Sequence, residues 1–139
     1  LKKKIDLVNL FVLNDLEELT GIKLDFIFLG SVLQYIKDYK VVLSKLFNSQ
    51  TEYFLISGQV CFEKNMNKNE TIFYEQLNVL PQVNYGQFFH YKSLITLFDE
   101  SGWRLVSKSV NTTDKHINFN QMSKEYGNIE YLDLLFKKK

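Results

Sequence analysis

Few side chains in this sequence combine to do chemistry. His90 and His116 supply the imidazoles and Cys61 the one thiol. A zinc site needs three or four Cys, His or carboxylate ligands at short spacing, and no such set is present. A Cys–His nucleophilic pair would have to join Cys61 to His90 or His116. Cys61 lies in an alternating, strand-like run, where a thiol serves as a small buried hydrophobe. Asp114, Asn118, Asn120 and Glu125 fall at positions one, five, seven and twelve of a calcium-binding loop. His116 at position three and Phe119 where the turn requires glycine spoil that match. Glu75 alternates with Phe73, Leu77 and Val79, which suits either a partly buried acid–base carboxylate or, as the preferred reading, an exposed or interface charge. In Phe88-Phe89-His90-Tyr91-Lys92, basic and aromatic residues interleave as in a base-stacking platform. Helical spacing, however, turns Phe88 and Tyr91 to a core and His90 and Lys92 to solvent. P-loop, nucleophile-elbow and dinucleotide motifs are absent. No catalytic residue, metal ligand or cofactor site is therefore expected.

The charge distribution narrows the partner classes. The net charge is +1 from 17 basic and 16 acidic residues. Six of the basic residues are Lys2, Lys3, Lys4, Lys137, Lys138 and Lys139, so the body between them is net acidic. A nucleic-acid binder carries its basic face through the body. Alanine is missing, and Pro (1) and Arg (1) are scarce while Lys and Phe abound, the signature of an AT-rich genome. Part of the lysine content is thus mutational bias. If the two ends of the chain lie together, the six lysines form one cluster that steers the molecule toward an anionic surface.

The elements follow from hydrophobic period. The 139 residues suit one domain, 1–139, with 45% apolar and 24% charged content typical of a folded globule. The run Ile5 to Leu13 is ambiguous between strand and helix, and Asn14 is placed to cap a short helix ending at Gly21. Ile22 to Leu29 reads as a strand. Ser31 as N-cap, with Val32, Ile36, Tyr39, Leu43 and Leu46 at helical spacing, predicts a helix over 31–48. Tyr53 to Phe62 alternates with period two and pairs with Thr71 to Val79 in an antiparallel hairpin, with Gly58 a candidate bulge. Gln87 to Ser101 reads as a helix, Trp103 to Val110 as a strand, 111–126 as a polar loop, and Ile129 to Phe136 as a strand or short helix. The expected core is Phe54, Ile56, Val60, Phe88, Ile95, Phe98 and Leu105. The fold class is α+β: a mostly antiparallel sheet with two or three helices packed on one face.

Both faces of the expected hairpin carry aromatics, Tyr53 and Tyr74 opposite Phe54 and Phe73. Such a sheet must be covered on both sides, by its own helices or by another chain. With no catalytic set and surplus apolar surface, the sequence points to an intracellular, non-enzymatic structural or interaction module. It would be a subunit of a larger protein assembly, touching partners through Tyr53, Tyr74 and the terminal lysines. The alternative is a small nucleic-acid-binding protein.

Overall fold

The computed structural model describes residues 15–19, 21–64, 71–79, 81–111 and 120–139. A strand, a helix and a second strand open the described chain, and a helix of that length returns the second strand parallel to the first. β1 (Lys23–Gly30) runs into a 3₁₀ turn at Leu33–Tyr35, then α1 (Tyr39–Phe47), then the long β2 (Gln50–Phe62). β1 and β2 are parallel, with Lys23 opposite Gln50 and Gly30 opposite Ser57. β3 (Ile72–Val79) and β4 (Gln82–His90) form an antiparallel hairpin around Pro81. β4 then continues parallel to the far end of β2, through Cys61–Phe89 and Phe62–His90. After α2 (Tyr91–Glu100) come β5 (Trp103–Val110), α3 (Asn120–Tyr126) and β6 (Ile129–Lys138), with β6 antiparallel to both β2 and β5. The sheet order is β3-β4-β2-β6-β5, and β1 lies beside β2 on the edge that β4 takes further along. This six-stranded, mostly antiparallel sheet with its helices is an α+β fold. No helix among the described residues is long and apolar enough to cross a membrane.

One irregularity organises the packing. Opposite β6, the register of β2 shifts between Ile56 and Gln59, and Gly58 there adopts φ 64°. An extra residue in a strand exchanges its two faces. Before the bulge, Phe54 and Ile56 join the main core, with Leu132, Leu134 and Phe136 of β6, Leu43 and Leu46 of α1, Leu94 and Phe98 of α2, and Trp103. After it, Cys61 takes over that face. Val60 and Phe62 turn to a second core with Phe88 and Ile129, covered by Ile72, Tyr74, Met122 and Tyr126. α1 and α2 therefore pack on the main core, and the second core is closed by side chains of the hairpin strands and of α3. Of the aromatics on the two faces, Phe54 is buried, Tyr53 and Tyr74 are partly covered and Phe73 stays exposed.

Several local expectations change. Ser31 caps no helix: its φ is 48°, the first turn is 3₁₀, and Ile36 is extended (φ −93°, ψ 105°) before α1 begins at Tyr39. An N-cap needs β-region backbone, which Ser31 does not have. Residues 87–90 belong to β4 instead of α2, because a strand buried on both faces has the same apolar density as a buried helix. The hairpin partner of β3 is β4, and β2 pairs elsewhere. α3 replaces the second half of the expected loop over 111–126. The N-terminal helix is a 3₁₀ turn, Leu16–Leu19, with the Glu17 N–H donating to Asp15 Oδ1 at 3.0 Å. The run Ile5 to Leu13 and Asn14 lie outside the described residues.

Of the expected core, Phe54, Ile56, Val60, Phe88 and Phe98 are buried, while Ile95 and Leu105 are half-buried at its edge. Phe98 stacks on Phe136 at 3.9 Å between ring centres and meets Phe54 edge-on at 5.2 Å. Phe98→Ala is expected to cost about 3–5 kcal/mol in urea denaturation, the range for a buried phenylalanine. A loss under about 1 kcal/mol would mean that α2 does not anchor the main core.

Candidate functional site

Open sheets with parallel strands bind their ligands in the crevice outside the carboxyl ends of those strands. Here that place is where β1 and β2 pass Gly30 and Ser57. The Ser31 N–H donates to the Ser57 carbonyl at 2.8 Å, so the chain leaves β1 tied to β2. Ser31 is the one non-glycine residue with positive φ among the described residues. Left-handed backbone costs an L-residue roughly 1–2 kcal/mol, and such strain collects at functional sites. Gly58 packs against it, and a Cβ at Gly58 would collide with Ser31 Oγ. The position therefore requires glycine twice over, for its φ and for its neighbour.

Asp133 holds this junction from β6. Its Oδ1 accepts from the Ser57 hydroxyl at 2.8 Å, the Gly58 N–H at 2.8 Å and the Asn111 side-chain amide at 3.1 Å. Burial alone would raise this carboxyl's pKa, but the donors from Gly58, Ser57 and Asn111 outweigh it and hold the group below the usual aspartate value.

Beside the crevice, the 3₁₀ turn faces the β3–β4 hairpin across a cavity of about 290 Å³ lined by Gln34, Tyr35, Lys37, Phe73, Tyr85, Gly86 and Gln87. Gln87 Nε2 reaches from β4 to donate to the Ile36 carbonyl at 2.6 Å, joining hairpin to turn. The Tyr35 and Tyr74 hydroxyls are hydrogen-bonded, and burial, followed by the neighbouring Tyr35 and Tyr131, pushes the Tyr74 phenol well above its ordinary value. Tyr74 therefore stays protonated. Its ring also occupies the space where a Cβ of Gly86 would be.

The residues singled out from the sequence scatter. Tyr74 packs against Gly86 and the second core, but Tyr53 lies beneath Lys137, whose Nζ is 5.1 Å from the ring centre. Lys137 pairs with Glu52 at 2.9 Å, Lys138 donates to the Ser49 carbonyl at 3.1 Å, and Lys139 pairs with Asp99 at 2.8 Å. The C-terminal lysines thus fasten β6 to its surroundings. Lys2, Lys3 and Lys4 lie outside the described residues, as do Asp114, His116, Asn118 and Phe119 of the calcium-like segment. No group of three or more His, Cys, Asp or Glu able to hold a metal occurs among the described residues. His90 departs from its expected solvent position: it is buried at the start of α2, Nδ1 2.9 Å from Ser93 Oγ and its ring 5.3 Å from that of Phe62. The reason is the extension of β4, which carries His90 inward. Burial pushes the Cys61 thiol up to about 12, as suits an inert core residue, and Glu75 is exposed. Sequence reasoning missed Ser31, Gln34, Gln87 and Asp133. The available signal was the strand–helix–strand order of 22–62, which by its length implies a parallel pair and a crevice at its end.

No protein-family model matches the sequence, and no curated protein matches it. Solved structures do match in fold. A Listeria monocytogenes protein described as an S-adenosylmethionine-dependent methyltransferase aligns with TM-score 0.56 and 11% identity over 84% of this chain and 62% of its own. The Burkholderia thailandensis 1,6-didemethyltoxoflavin-N1-methyltransferase, solved with 1,6-didemethyltoxoflavin and S-adenosylhomocysteine bound, aligns with TM-score 0.51 and 16% identity over 83% of this chain and 44% of its own. The [4+2]-cyclase SpnF aligns with TM-score 0.51 and 8% identity over 84% of this chain and 51% of its own. The chain thus spans 44–62% of the length of these neighbours. Their fold overturns the expectation of a non-enzymatic structural subunit and, with it, the nucleic-acid-binding alternative. That expectation took the lack of a catalytic set as evidence against an enzyme. A fold that binds ligands at its strand ends needs no such set in the sequence pattern.

The Asp133 junction is testable by pH. Its folded pKa lies below the unfolded value of about 3.9, so its contribution is present above about pH 4 and is lost as pH falls through the folded value. Asp133→Asn is expected to lower the urea midpoint at pH 7 and to flatten its decline between pH 5 and 3 (about one unit either side of the free aspartate value). An unchanged pH dependence would remove Asp133 as the anchor.

Proposed function

We propose that this chain forms the acceptor-side part of an S-adenosylmethionine-dependent methyltransferase-type domain acting on a small molecule. The observation that carries the reading is the parallel β1–β2 pair next to the reversed β6, with a strained, glycine-dependent crevice at its carboxyl end and the fold of the methyltransferases above. Methyl transfer asks chiefly for two reactants held in line and shielded from water, so positioning supplies most of the catalysis. Residues 30–34 and 57–58 supply one wall for such a cofactor. The glycines of this sequence are isolated, Gly21, Gly30, Gly58, Gly86, Gly102 and Gly127, so none forms the glycine-rich turn over which a nucleoside could be drawn close. The fit is therefore partial, and the other wall must lie beside β1. Among the described residues β1 pairs with β2 alone and carries Phe26 and Phe28 half-exposed or more, as an inner strand of a wider sheet would.

Fold alone does not settle the reaction, and SpnF is a cyclase on the same architecture. Titration with S-adenosylhomocysteine, followed by backbone amide NMR, is expected to shift Ser31, Leu33, Gln34 and Gly58 at millimolar ligand while leaving β5 untouched. No shift at these amides, or shifts spread elsewhere, would overturn the reading.

A further inference from the structure

The cavity between the 3₁₀ turn and the hairpin has two unlike walls. One is the turn, with Tyr35 and the exposed Lys37, and the other is the hairpin, with Phe73 and Tyr85. The β3–β4 register pairs Phe73 with Gln87 and Glu75 with Tyr85, so Phe73, Glu75 and Tyr85 share one face of the hairpin. Phe73 and Tyr85 are 69% and 67% exposed, Tyr35 46% and Val83, two residues before Tyr85 on the same face, 40%. Apolar side chains gathered this closely in water mark an interaction site. The patch also carries one charge of each sign, Lys37 on the turn wall and Glu75, exposed, on the hairpin wall. Neither makes an ion pair among the described residues. Asp38 and Lys40, at the start of α1, lie outside the cavity's lining.

We propose that this patch is the interface of a homodimer, with a second copy of the chain seated on it across a two-fold axis. In such a contact the same patch faces itself, so each wall meets the opposite wall of the other copy. The hairpin rings of each copy then enter the groove of the other, and Lys37 of each copy lies against Glu75 of the other. A partner carrying one sign of charge would set a like charge against one wall, whereas a second copy matches both. The two ion pairs fix orientation more than they add affinity, because exposed pairs contribute little. The rings supply the buried area. Three partly covered rings and a valine from each copy make a contact near the small end of specific interfaces, roughly 1,000 Å², so the dimer depends on concentration. This pairing stands independently of the methyltransferase reading.

Sedimentation velocity of the chain across the micromolar range is expected to show a reversible monomer–dimer equilibrium. Glu75→Lys and Lys37→Glu, each of which opposes like charges, are each expected to raise the dissociation constant about tenfold at low salt. The combined variant, Lys37→Glu with Glu75→Lys, is expected to return it to within about threefold of the parent, because both pairs re-form with their signs exchanged. Tyr85→Ser, at an exposed position, is expected to weaken the dimer by about tenfold or more without moving the urea midpoint. Phe28→Lys, on the exposed β1 edge, is expected to leave the dimer unchanged. A monomer at every concentration, a combined variant as weak as the single ones, or a dimer lost with Phe28→Lys and indifferent to Tyr85→Ser would each overturn the assignment.

Discussion

The acceptance of three hydrogen bonds by Asp133 is the interaction on which the rest of this structure depends. A bulge in the middle of a long central strand leaves a backbone N–H without its ladder partner. At Gly58 that donor goes to a carboxylate on the neighbouring strand, along with the Ser57 hydroxyl and the Asn111 amide. Ionised acceptors make stronger hydrogen bonds than neutral ones, so the bulge is held by side-chain chemistry and not by turn propensity. Three consequences follow from this one defect. β2 changes faces and serves two cores, its carboxyl half is carried on to meet β4, and the space beside Gly58 is left free for Ser31 at the end of β1.

The first consequence accounts for the aromatic load. An alternating strand with apolar residues on both faces reads as a half-buried sheet short of cover. Here the first half of β2 gives Phe54 and Ile56 to the helices α1 and α2, and the second half gives Val60 and Phe62 to the hairpin and α3. Phe47, Phe54, Phe98, Trp103 and Phe136 interlock edge-on or stacked in the first core, filling with rings the volume that a chain lacking alanine cannot tune with small side chains. What stays exposed is not scattered. Phe26 and Phe28 sit on the β1 edge, and Phe73 and Tyr85 sit on the hairpin beside the cavity.

The third consequence gathers residues at the strand ends. A residue held at positive φ without being glycine, a glycine that cannot be replaced and a buried glutamine bridging turn to hairpin all converge within a few residues of the strand ends. None of them is a nucleophile or a general base. Together they build a shaped surface next to a crevice.

Elements with clean periodicity were legible from residue order alone. Trp103 to Val110 is a strand because its apolar residues alternate, Leu94 and Phe98 mark the buried side of a helix, and Gly102 closes that helix at φ 87°. Ile129 to Phe136 is open between strand and short helix on its residues alone, and its pairing with β2 and β5 makes it a strand. Residue order also carried the α+β class, the inert burial of Cys61 and the hint of a bulge at Gly58. Strand pairing was not legible there. Whether β2 joins β1, β3, β4 or β6 depends on contacts distant in sequence, and a fully buried run such as Gln87 to His90 carries no period to distinguish strand from helix. The candidate site was illegible for the same reason. Ser31 and Gln34, Gln87, and Asp133 come from three separate segments, each unremarkable in its own neighbourhood, and they become a site only when a parallel pair, a bulge and a hairpin bring them to one end of the sheet.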